Sequence, residues 1–306
     1  MNRGTIGRRG FLVGAAASLL AAGCGPPDYT PRIRLGSGRS GGFFHEFAGL
    51  LAEAATAAKS IHIEPIETAG SQENLELLAN GAIDVGLSLA DSVATARTGA
   101  LAIARLYETY IQLAVRADSP IRTLDDLRGQ RIDLGTTGSG AAMIAERLLR
   151  VAGLDPASDL VTSNQQLSDG IRALRSGQVD AIVWGGGIPT PGVGVPTETR
   201  LIDIGDWVRP LQEQYGYDYD RVVIPANAYP GAPEVWTVGV PNLLLTASKL
   251  ADAAVSAITA LLLEQADSLI SRQTLGFHFL DRRWLVGTGG VPLHPAAADY
   301  YRDNHG

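Results

Sequence analysis

The 306-residue chain holds one cysteine, Cys24. No internal disulfide can form, and no cysteine-based metal site can be built. A chain of this length buries enough apolar surface to do without a disulfide. Other metal motifs are missing too. The five histidines (His45, His62, His278, His294 and His305) are scattered, and none has the spacing of an HExxH helix. No nucleophile–base pair stands out. Gly138-Ser139-Gly140 does not have the spacing of a Gly-x-Ser-x-Gly elbow, and no glycine loop ends in the Gly-Lys-Ser/Thr of a P-loop. Gly36-x-Gly38-x-x-Gly41 matches a dinucleotide fingerprint formally, but the acidic candidates Glu64 and Glu67 come early for a ribose contact. The sequence predicts a protein without catalysis, metal or cofactor.

Basic stripes are absent as well. The formal charge is −7, and no Lys/Arg-rich segment appears, which argues against nucleic acid as a partner. Long apolar runs are absent except Phe11 to Ala22, too short to span a bilayer as a helix. That run follows Arg8-Arg9-Gly10, the core of a twin-arginine export leader, and ends in Leu20-Ala21-Ala22-Gly23-Cys24. Small residues before a cysteine resemble a bacterial lipobox, although Leu20 stands one place further from Cys24 than is usual. The expectation is a signal peptide over 1–23, a lipid on Cys24 that anchors the chain to a membrane face, a tether over 24–31, and a periplasmic location. Removing 1–23 takes away Arg3, Arg8 and Arg9 and no acid, moving the charge from −7 to −10.

Glycine is what the chain has in quantity, 36 residues, and seven of them fall in two loops. Gly36-Ser37-Gly38-Arg39-Ser40-Gly41-Gly42 and Gly135-Thr136-Thr137-Gly138-Ser139-Gly140 each follow a short strand and precede an apolar helix. Such a turn aims several backbone N–H groups at one point, where the helix dipole favours an anion. A second pair follows in the same order. Leu77-Leu78-Ala79-Asn80-Gly81-Ala82-Ile83-Asp84-Val85 resembles Ala173-Leu174-Arg175-Ser176-Gly177-Gln178-Val179-Asp180-Ala181. Each reads as a helix end, a glycine cap, and a strand entered through Asp. Strand and helix patterns alternate from Arg32 to Val115 and again from Arg131 to Val183, which predicts an α/β protein of two lobes. The chain is expected to cross between lobes near Arg116–Asp118 and near Val235–Val240. Lobe 1 is then 32–116 plus 237–306, and lobe 2 is 117–236. Ala102–Leu106 and Tyr110–Val115 read as two strands, and Ala247 to Ser271 as one long helix.

The ordered pieces resemble the solute-binding subunit of a TAXI-type TRAP transporter. They include Gly38 to Phe44, Thr68-Ala69-Gly70-Ser71-Gln72-Glu73-Asn74-Leu75, Gly81 to Val85, Gly135 to Gly140, Gly177 to Ala181, Gly187-Ile188-Pro189 and Ile224 to Gly231. The resemblance implies a type II periplasmic binding-protein fold, two α/β lobes joined by a two-strand hinge with the ligand cleft between them. It implies a small carboxylate solute, such as glutamate or 2-oxoglutarate, and a TRAP membrane permease as partner. Where the family shows Tyr-Tyr, this chain has Phe43-Phe44-His45, which points to a less polar ligand. A sensor partner of a membrane histidine kinase and an exported enzyme on a similar fold remain alternatives.

The candidate ligand residues follow. From the first loop come Ser37, Gly38, Arg39, Gly41, Gly42 and Phe43, with backbone N–H groups, a hydroxyl and a guanidinium for a carboxylate. Ser71 and Asn74 open a helix, and either capping or ligand contact suits them. Thr137, Gly138, Ser139 and Gly140 face them from the second loop. Trp184 ends a strand, where it can stack on a ligand or pack in the core. Gly187, Pro189 and Tyr229 enter through the family resemblance.

Overall fold

The structure is a computed structural model that describes residues 31–96, 98–190, 193, 198–216, 219–270, 280 and 282–304. The predicted leader, Cys24 and the tether up to residue 30 lie outside the described residues. Two units of the same design make up its core. In the first, β1 (Arg32–Gly36) leads to α1 (Phe43–Ala58), β2 (His62–Ile66), α2 (Ser71–Asn80) and β3 (Val85–Leu89). In the second, β5 (Arg131–Asp133) leads to α4 (Gly140–Val151), β6 (Val161–Ser163), α5 (Leu167–Arg175) and β7 (Ala181–Gly186). Both sets of strands are parallel, with the first strand of each set in the middle.

The repeat extends to side chains. Asp84 and Asp180 each enter the last strand of their unit. Asp84 accepts from the Arg34 backbone N–H and from its Nε and Nη2 at 2.8–3.0 Å. Asp180 accepts from the same three groups of Arg131 at 2.7–3.1 Å. Charge-assisted, forked pairs of this kind fix strand register, so the duplicated Gly-x-x-Asp joint is a clamp that locks the last strand of each unit beside its first.

Two long strands join the units: β4 (Leu101–Arg116) and β10 (Val235–Thr246). They run antiparallel to each other; β10 also pairs with β3, and β4 with β7. The ten-stranded sheet is therefore continuous. The short β8 (Thr199–Leu201) and β9 (Asp220–Ile224) pair with β4 and β10 respectively. The core is not continuous. In β4, Ile103, Leu106 and Tyr107 pack with α1, while Ile111, Leu113 and Val115 pack with α4. In β10, Leu244 belongs to the first core, and Val238 and Val240 to the second. The passage in β4 thus falls at Glu108, which is paired with Pro241 of β10 beside a register shift. This is earlier than the predicted Arg116–Asp118 crossing. The polar Asp118-Ser119-Pro120 turn follows the end of β4.

Two other expectations change. Ala102–Leu106 and Tyr110–Val115 are one strand, because ladder partners on both edges carry β4 through its polar middle. The helix predicted from Ala247 is α7 (Asp252–Glu264), a turn later, and its last part is a separate 3-10 turn over Ala266–Leu269. Among the described residues the remaining α-helices are α3 (Ala90–Ala96), α6 (Val208–Tyr215) and α8 (Pro295–Asn304). Among the described residues, no helix is long and apolar enough to cross a membrane.

Candidate ligand cleft

In a βαβ unit every helix starts at the carboxyl edge of the parallel strands, so the helix N-termini of each unit gather on one side. Here the two gatherings face each other. The starts of α1, α2, α4 and α5 all line one cleft of about 670 Å³ between the lobes. Gly42 precedes α1, Gly70 precedes α2 and Gln166 precedes α5, and none of the three places a side-chain cap on its helix. Their first-turn N–H groups and dipoles suit an anion. Only α4 is capped by its own side chain, with Ser139 Oγ accepting from the Ala142 N–H at 3.1 Å.

The lobes touch beside the cleft. Gln72 N–H donates to the Gly138 carbonyl at 3.2 Å. A Cβ on Gly140 would lie 2.6 Å from Ser71 Oγ and from Leu89 Cδ1, so any larger residue there would push the lobes apart. Nearby, Arg147 of α4 donates from Nη1 to Asp91 of α3 at 3.0 Å and to Tyr219 Oη at 2.7 Å. Tyr219 Oη donates to the same Asp91 oxygen at 3.0 Å, and Arg147 Nη2 donates to Thr95 Oγ1 at 2.5 Å. Asp91 and Tyr219 are buried, and burial beside Asp91 pushes the Tyr219 phenol far above its ordinary pKa.

Of the residues expected from sequence, Gly38, Arg39, Gly41, Gly42 and Phe43 line the cleft from the first lobe, and Ser71 joins them. Ser139, Gly140 and Trp184 line it from the second. The Phe43 ring stands edge-on to Tyr107 at 4.4 Å. Trp184 is buried, with Nε1 donating to Thr190 Oγ1 at 3.0 Å, so it is wall and core together.

The others are placed differently. Ser37 is fully buried and its hydroxyl donates to the Ile66 carbonyl at 2.9 Å. Asn74 is fully buried beneath the first glycine loop. Its amide donates to the carbonyls of Gly36, Ser37 and Leu87 at 2.8–3.1 Å, and its oxygen accepts from Thr68 Oγ1 at 2.8 Å. Both residues tie down the loop. Thr137 and Gly138 sit off the cleft wall. Gly187 and Tyr229 bind Thr190: the Gly187 carbonyl accepts from its hydroxyl, and Tyr229 Oη accepts from its N–H. With Pro189 they shape a turn behind the wall.

The structure adds residues that the sequence reading missed. Gln166, Ser168 and Arg172 come from the start of α5. The repeat itself carried that signal, since α5 occupies in the second unit the place that α2 has in the first. Thr109 comes from the middle of β4 and Asp133 from the end of β5. Thr109 Oγ1 accepts from Asn242 Nδ2 at 2.8 Å, which leaves its proton for the cleft. Among the described residues no cluster of three or more His, Cys, Asp or Glu side chains is placed to hold a metal ion.

A family model described as the NMT1-like family matches residues 35–304. The chain belongs to the NMT1-like family. Solved structures similar to this member share its fold at low identity. XAC2383 from Xanthomonas citri, bound to ATP, is 15% identical with a TM-score of 0.53, over 90% of this chain and 99% of that one. The periplasmic aliphatic sulphonate binding protein SsuA from Escherichia coli is 18% identical with a TM-score of 0.44, over 90% and 79%. The substrate binding protein of an amino acid ABC transporter is 14% identical with a TM-score of 0.47, over 78% and 95%. The architecture of this NMT1-like protein is the periplasmic binding-protein fold, with two α/β lobes and a cleft between them. The TAXI-type TRAP assignment is narrower than the family match.

Proposed function

We propose that this protein is a periplasmic receptor that captures a small carboxylate between its lobes and delivers it to a TRAP-type membrane permease. One observation carries the reading: four helix starts, two from each lobe, face a single cleft of about 670 Å³. A cleft of that size suits a small molecule. A carboxylate there exchanges its water for backbone N–H groups that are already in place. Ligand that touches both lobes favours the closed arrangement, and the permease reads that population shift. The TRAP partner rests on the ordered motifs from Gly38 to Gly231, and the anchor on Cys24 within its lipobox-like context.

Thermal unfolding of the purified protein against a panel of small carboxylates tests the capture step. A ligand specific for the folded state raises Tm by mass action, adding about 2.7 kcal/mol of stability at a hundredfold excess over Kd. No rise with any carboxylate contradicts it. Uptake in vesicles holding receptor and permease tests the partner. The proposal expects uptake that survives ATP depletion and stops when the ion gradient is collapsed; uptake that needs ATP contradicts it.

A further inference from the structure

Which carboxylate the cleft takes is written in its walls. We infer that the solute is a monocarboxylate with an apolar body, neither an amino acid nor a dicarboxylate; this rests on the receptor reading above. The charged groups lead to it. Among the described residues that line the cleft, the cations are Arg39, Arg172 and Arg175. All three side chains are well exposed, at 47%, 76% and 43%, and each has an acid beside it: Glu67 at 3.8 Å, Asp169 at 3.0 Å and Glu198 at 2.9 Å. Each therefore brings its own counter-charge to the rim. One carboxylate can sit on the helix starts, but a second one deeper in the cleft would find no free cation to repay its desolvation.

The acid side is tighter still. Asp133 is the one carboxylate among the described lining residues, and it is buried. Its Oδ1 accepts from the Gly135 N–H at 3.0 Å and its Oδ2 from Ser163 Oγ at 2.7 Å. Both oxygens help shape the second glycine loop, and α5 packs over the carboxylate, where a Cβ on Gly170 would lie 3.3 Å from Oδ1. An α-ammonium group in the cleft would find no exposed carboxylate to pair with, and a buried unpaired ammonium is costly. The bulky side chains of the wall are apolar: Phe43 and Phe44 from the first lobe, Leu89 between them and Ile171, Ile182 and Trp184 of the second, with neutral hydroxyls and the Gln166 amide among them. Phe44 packs against both lobe cores. It is also a position where the resembling family carries a phenol, and its loss fits a cleft with less to bond.

Isothermal titration calorimetry on the purified protein separates the ligand classes. The probes are phenylacetate and the straight-chain alkanoates from butanoate to octanoate, set against L-glutamate, 2-oxoglutarate, L-phenylalanine and the neutral phenylacetamide. The expected result is that at least one apolar monocarboxylate binds about tenfold or more tighter than every other probe. Phe44→Ala then weakens it about tenfold, while Phe44→Tyr keeps the fold and loses less. Tighter binding of glutamate, 2-oxoglutarate or phenylalanine overturns this inference and leaves the receptor reading standing. Heat from none of the carboxylates overturns both.

Discussion

Glu108 stands where β4 leaves one core for the other, on the sheet face opposite Thr109 and the cleft. Its side chain is only 10% exposed; Oε2 accepts from Arg105 Nη2 at 3.0 Å, and Oε1 has no partner among the described residues. Burial pushes its pKa up to about 7, against the pull of Arg105 and with Asp220 adding to the rise. A carboxyl that is harder to ionise folded than unfolded stabilises the fold below its unfolded pKa, and that stability drains away as pH climbs to about 7. Chemical denaturation should therefore show falling stability between about pH 4.5 and 7, and Glu108→Gln should flatten the fall. An unchanged slope in the variant contradicts the assignment. Asn74 gives a second test at this scale. Removing its amide takes a buried donor from the carbonyls of Gly36, Ser37 and Leu87, so Asn74→Ala should cost about 3 kcal/mol in the same assay. A cost under about 1 kcal/mol would mean the loop does not depend on it.

Among the elements, α3 and α4 carry the contact that matters most for closure. Arg147 reaches from α4 to Asp91 and Thr95 of α3, with Tyr219 beside them. Asp91 is 1% exposed and Arg147 12%. Removing one partner of such a pair while the other stays buried costs about 3–5 kcal/mol, whereas opening the lobes lets Asp91 reach water. Arg147→Gln should thus favour the open form, raising the ligand off-rate at least about tenfold, and Asp91→Asn in the same chain should restore part of the loss. An off-rate unchanged in Arg147→Gln would mean that the pair does not hold the lobes. None of this was legible in the sequence, because Asp91 and Arg147 look like ordinary helix-surface charges until the two units are brought together. The α/β alternation, the glycine loops and the duplicated Asp joints were legible, since each rests on local pattern and turn chemistry. The loop-holding bonds of Ser37 and Asn74 were not legible, because hydroxyl and amide groups near a glycine loop serve a ligand and a backbone equally well. The length of β4 was hidden by Glu108 and Thr109, whose polarity reads as a break although the ladder runs through them.

At the scale of the molecule, the design is one α/β unit used twice and joined by two strands. The two three-stranded sets have the same strand order and the same Arg–Asp clamp. Their cores are largely separate, with Leu89 and Phe44 of the first unit also reaching the second, and the joining strands change core at Glu108 and Pro241. Lobes with separate cores and a two-strand connection can swing as rigid bodies about that connection. The helix starts of both lobes face the space that the swing would close. The central claim is that a small carboxylate closes this clamp. Small-angle X-ray scattering of the purified protein, titrated with the tightest apolar monocarboxylate, tests it most directly. The account predicts a radius of gyration that falls with saturation, and a smaller fall in Arg147→Gln. A radius that stays constant through full saturation would contradict it.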